Sequence, residues 1–139
     1  MSQNVQYSIA VHIMAGLGVH QGQEVTSADL AESINTSRTF VRRTLSHLAK
    51  AGLVHTARGK NGSCRLSRHP KQINMLSIYR AVDSPPVFAV HSYPANPDCR
   101  VSSGIKKAQS MILEASQNAF ENSLAKIKLS DVIARLEIS

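Results

Sequence analysis

The sequence predicts a mainly α fold: a winged helix-turn-helix with a two-stranded wing, followed by a long C-terminal dimerisation helix. Three observations predict it. Two short amphipathic segments, residues 26–34 and 37–52, are separated only by the turn-forming "NTS" at 35–37. Two β-capable runs, "LVHTA" and "CRLSR", flank the loop "RGKNGS". From Arg100 to about Lys126, Ile105, Ala108, Ile112, Ala115, Ala119 and Leu124 recur at helical spacing.

Each element follows from local chemistry. Residues 5–20 place Val5, Ile9, Ile13 and Leu17 on one helical face, and Gly22 ends that helix. Thr26 and Asp29, three apart, form a capping box in which Asp replaces the longer Glu. Leu30 and Ile34 are the buried side of this second helix. The third helix ends at Gly52, with Val41, Leu45 and Leu48 inward and Arg38, Thr39, Arg42, Arg43 and Ser46 outward. "INMLSIYRAV" is a further helix, stopped by "DSPP". Four of the five prolines fall within Ser84–Pro97, which predicts an irregular connection. "KLSDVIARL" closes the chain as a short helix capped by Ser130. The expected division is a helix-turn-helix and wing unit over 1–83, a connecting segment over 84–99, and the dimerisation and C-terminal helices over 100–139. The long helix has little chain left to pack against, so a second subunit is the natural place to bury it.

Charge narrows the partner. The 139 residues carry a formal charge of +7. Residues 1–69 hold eight Lys/Arg against three acids, a balance of +5; the remainder holds eight against six, a balance of +2. Positive charge is therefore concentrated in the helix-turn-helix half, which favours a polyanion such as double-stranded DNA. No apolar run approaches the roughly 20 residues of a membrane span, and no leader segment is visible. Two cysteines cannot form a disulfide framework, and a cytoplasmic location is expected.

The motifs bear on three site chemistries. Around Gly59-Lys60, a nucleotide-binding loop lacks its first glycine (Val54 stands there) and its hydroxyl (Asn61), and a strand follows where a helix belongs. The six histidines show no metal-binding pair, and no nucleophile–base arrangement supports an enzyme. The third helix fits best. Arginines with Ser and Thr near a helix N-terminus can contact phosphates, and a guanidinium can take the O6 and N7 of guanine. The DNA-binding candidates are Thr26, Ser37, Arg38, Thr39, Arg42, Arg43 and Ser46, with Arg58, Lys60 and Arg65 on the wing.

With these residues in place, "VTSADLAESINTSRTFVRRTLSHLAKAGLVHTARGKNGSCRLSRHPKQINMLSIYRAVD" resembles the winged-helix core of the Rrf2 family of bacterial regulators. Its most specific parts are "LSHLAKAGLV", "RGKNGSCRLSR" and "INMLSIYRAVD". Arg58, Gly59, Gly62, Leu66 and Arg68 match the family's wing, while Asn61 and Ser63 replace glycines. The resemblance implies a homodimer whose long helices cross, with recognition helices in adjacent major grooves and Arg58 reaching DNA from the wing. Cluster-binding members carry three cysteines before the long helix. Here that region, Ser84 to Gly104, holds only Cys99, so no cofactor is expected and the iron–sulfur cluster is not carried over.

Cys99 sits at a predicted helix N-terminus beside Arg100, which favours its thiolate and marks it as a possible redox sensor; Asp98 opposes this. Cys64 occupies the family's aromatic wing position and reads as buried filler. The expected function is a homodimeric transcriptional repressor reading a palindromic operator, with the oxidant or small-molecule signal unknown. The alternative is a winged-helix protein-interaction module whose charge serves solubility.

Overall fold

In the computed structural model, which describes residues 5–57 and 62–136, the chain divides into two compact units. One comprises Met1–Ser84 with Leu124–Ser139, the other Pro85–Ser123.

The first unit is built around α1 (Gln6–Val19), whose Ala10, Ile13, Met14 and Leu17 are buried. The face differs from the sequence expectation: Val5 is exposed and Ile9 only half-buried. Met14 fills the core instead, because α1 is packed by several elements rather than one. Helix α2 (Ser27–Ile34) starts with the predicted capping box. The Thr26 hydroxyl accepts the Asp29 N–H at 3.1 Å, and the Asp29 carboxylate accepts the Thr26 N–H at 2.9 Å. Asn35, in the left-handed conformation, ends it. Helix α3 (Arg38–Lys50) follows after a cap at Ser37, whose Oγ accepts the Phe40 N–H at 3.2 Å. It terminates at Gly52, whose φ of +76° lets the Leu53 N–H return to the Leu48 carbonyl at 3.0 Å.

The wing contains β2 (Val54–Thr56) and β3 (Ser63–Leu66), paired antiparallel with Val54 opposite Leu66 and His55 opposite Arg65. A third strand, β1 (Val25–Thr26), joins the other edge of β3, so the sheet order is β1-β3-β2. The sequence expectation had two strands. A two-residue strand leaves no alternation to detect, and only pairing with β3 makes it one.

After a 3-10 turn (Pro70–Gln72), α4 (Met75–Ala81) is capped by the Asn74 Oδ1, which accepts the Ser77 N–H at 2.9 Å. The helix α6 (Leu129–Ala134) belongs to this unit and not with the long helix that precedes it, which corrects the 100–139 grouping. Its approach is stitched by two backbone bonds of 2.8 Å, Met75 N–H to the Ile127 carbonyl and Leu129 N–H to the Ile73 carbonyl. Leu129 is fully buried, and Gly18 of α1 makes room for Ile133. The cap also differs: Lys128 is the N-cap position and Asp131 accepts its N–H at 2.9 Å, leaving Ser130 inside the first turn.

The second unit is an irregular strap over Pro85–Asp98 and the body of α5 (Arg100–Ala125). The strap runs along one side of the helix. The Val87 N–H donates to Gln117 Oε1 at 3.0 Å, Lys106 Nζ donates to the Tyr93 carbonyl, and the Asn96 N–H meets Ser102 Oγ at 2.6 Å. None of this unit's residues is buried, and Phe88, Tyr93, Val101, Met111 and Ile112 are each at least 65% exposed.

Candidate nucleic-acid interface

Helix α3 turns Val41, Thr44, Leu45 and Leu48 into the core and presents Arg38, Thr39, Arg42, Arg43, Ser46 and Lys50 to solvent. No carboxylate lies anywhere on this helix, so its outward charges have no neutralising neighbour along it. Buried Thr44 donates its hydroxyl to the Phe40 carbonyl at 3.2 Å, and the Arg43 guanidinium lies over the Phe40 ring, 6.0 Å from its centre.

Between α3 and the wing runs a groove of about 480 Å³. Arg42, Ser46 and Lys50 form one wall; Thr56, Ala57 and Gly62 form the other. Lys50 and Thr56 are the residues that sequence reasoning left out. The spacing 42, 46, 50 repeats every four residues along one helix face, so Lys50 was within reach of the pattern. Thr56 was not, because only the strand packing brings it opposite α3.

The other predicted positions separate. Thr26 and Ser37 are committed to capping α2 and α3. Arg65 does not line the α3 groove; it borders a second one of about 530 Å³ with Gln23, Glu24 and His55. Arg58 and Lys60 lie outside the described residues.

The two thiols differ. Cys64 is buried, and its Sγ donates to the Val25 carbonyl at 3.3 Å. Burial, with a smaller contribution from Asp29, pushes its pKa up to about 11. Cys99 is half-buried just ahead of α5, and the Ser102 N–H points to its sulfur at 3.5 Å. Asp29 keeps its charge more readily than an ordinary carboxyl because the Thr26 N–H, then the Thr26 hydroxyl, hold its pKa down.

A basic, acid-free helix face beside a β-ribbon, carried on a helix-turn-helix, defines a winged-helix DNA-binding protein of the transcription-regulator class. Residues 3–135 match the model of the Rrf2 family, described as an iron-dependent transcriptional regulator, and the chain belongs to that family. It is 36% identical over 134 residues to YwnA of Bacillus subtilis, named as a helix-turn-helix-type transcriptional regulator, covering 96% of this chain and 98% of YwnA. A crystal structure described as a DNA-binding protein is 32% identical with a TM-score of 0.72, covering 92% of this chain and 98% of that one. CymR, the global cysteine regulator of B. subtilis, shares the fold with a TM-score of 0.72 at 20% identity, covering 99% of each chain. Family and relatives are regulators and not enzymes. Among the described residues, no helix is long and apolar enough to cross a membrane.

The family description raises the question of iron. An iron–sulfur cluster held within one subunit takes several cysteine thiolates. Cys99 is the only cysteine of Pro85–Ser123, and its close partners are the backbone of Asn96, Ser102 and Ser103. Among the described residues, no three His, Cys, Asp or Glu side chains come together as a metal site.

Proposed function

We propose that the protein is a cytoplasmic, homodimeric transcriptional repressor that reads a palindromic operator without an iron–sulfur cluster. The observation that carries this reading is the acid-free outer face of α3, with Arg42, Ser46 and Lys50 lining a groove against the wing. That groove suits a phosphate backbone passing between recognition helix and wing, while outward side chains of the first two turns of α3 that lie off the groove reach base edges.

Dimerisation is supported by α5. Val101, Ile105, Ala108, Ile112, Ala115 and Ala119 follow a four–three spacing along α5, and all but Ile105 are exposed. Small alanines there allow two helices to approach closely. A dimer suits a palindromic operator, whose half-sites lie about one DNA turn apart, roughly 34–36 Å. Cys99, half-buried just ahead of the same helix, is the thiol through which an oxidant signal is proposed to reach that pairing.

Titrating operator affinity against salt tests the reading. DNA binding by this face should weaken steeply between 50 and 200 mM salt, by about 10³-fold if six phosphates are contacted. A protein-interaction module would show little dependence on salt and no preference among duplexes, and that outcome would rule the repressor reading out.

A further inference from the structure

Arg42 and Arg43 are adjacent in sequence but about 100° apart around the helix. Arg42 borders the α3–wing groove with Ser46, Lys50 and Thr56. Arg43 is absent from that lining, and its guanidinium instead lies over the Phe40 ring, one turn earlier. The backbone that carries the Phe40 ring is well fixed. Phe40 is half-buried, its N–H donates to Ser37 Oγ, and its carbonyl accepts the hydroxyl of buried Thr44. An arginine held against an aromatic face keeps its planar fork in a restricted orientation and loses less freedom on contacting a ligand.

We propose that Phe40 is a positioning residue that presents Arg43 to a base edge, leaving Arg42 to the phosphate backbone. This deepens the DNA-reading function proposed above and rests on it. Guanine is the base class that suits Arg43, since its O6 and N7 accept the two parallel donors of a guanidinium. Arg42, which shares its groove with Lys50 and the hydroxyl side chains of Ser27, Ser46 and Thr56, matches a phosphodiester, which carries no sequence information. The division of labour has distinct signatures. Losing Arg43 relaxes preference at one base pair of each half-site. Losing Arg42 weakens all sequences alike and lowers the salt slope by about 1.

The experiment uses the full chain. Wild type, Phe40→Leu, Phe40→Tyr, Arg43→Ala and the double variant Phe40→Leu/Arg43→Ala are each bound to a random-sequence duplex library, and the bound fraction is sequenced. The preferred duplex and its single-base variants are then titrated. Phe40→Leu should lose about 2–5-fold discrimination, the strength of an exposed cation–π contact, at the same base pair as Arg43→Ala. Phe40→Tyr should keep it, and the double variant should be no less selective than Arg43→Ala alone. Should Phe40→Leu fail to fold, Phe40→Met repeats the comparison with a different ringless side chain. Additive losses in the double variant, or a uniform weakening across sequences by the ringless variants, would overturn the role of Phe40 alone. Absence of any salt-dependent duplex binding by wild type would remove the DNA-reading function and this inference with it.

Discussion

At the scale of single residues, the two cysteines illustrate how place decides chemistry. Cys64 faces the Val25 carbonyl inside the sheet and keeps its proton. Its pKa is higher in the folded chain than in the unfolded one, so the folded state holds the proton more tightly. The associated stability is present below the ordinary thiol value near 9 and is lost as pH rises toward about 11. Urea unfolding should show a wild-type advantage over Cys64→Ala that is flat below pH 9 and shrinks above it. A difference unchanged across that window would contradict the burial account. Cys99 should react with iodoacetamide well before Cys64, and Cys99→Ser should abolish any oxidant effect on operator affinity. Both cysteines were legible as candidates from their neighbours in sequence. The sequence also ranked them, reading Cys64 as buried filler from its place in the wing, and the structure adds the carbonyl that its thiol meets.

At the scale of elements, the caps of α2 and α3 were the most readable features, whereas α6 is capped at Lys128 and not at Ser130. Thr26 with Asp29, Ser37 and Gly52 each act where local chemistry put them, because a cap bonds to residues two to five positions away. The last helix was the least readable. Its amphipathic pattern identified a helix, but its packing partner α1 lies more than a hundred residues earlier. Gly18 is the hinge of that contact. A Cβ there would come within 2.5 Å of Ile133 Cδ1 and 3.4 Å of Pro70 Cγ. Gly18→Ala should therefore destabilise the protein by about 1 kcal/mol, the low end for overpacking, since only the tip of Ile133 must move. Chemical denaturation of Gly18→Ala checks this, and Ile133→Val alongside it should recover part of the loss. A stabilised Gly18→Ala would show that α6 does not pack on α1 this way.

For the whole molecule, the second unit poses the larger question. A 39-residue unit without a buried residue, exposing Val101 and Ile112 on one helix stripe, lacks a core of its own. Dimerisation through that stripe would supply one. Ile112→Glu should place a charge in the seam and shift the protein to monomer in sedimentation equilibrium. Operator affinity should then fall on the order of 100-fold or more, because two half-sites no longer bind as one. Glu114→Gln, on the polar side of α5, should leave the dimer intact. A dimer surviving Ile112→Glu would place the subunit contact elsewhere. The sequence by itself determined the helix-turn-helix, the basic face of α3 and the helical nature of α5, since these depend on spacing, caps and charge within a few turns. Only the tertiary structure decided the third strand, the membership of α6 and the groove joining Arg42 to Thr56. The reason is physical: each of those rests on groups distant in sequence meeting in space, where burial and pairing, not local propensity, set the energy.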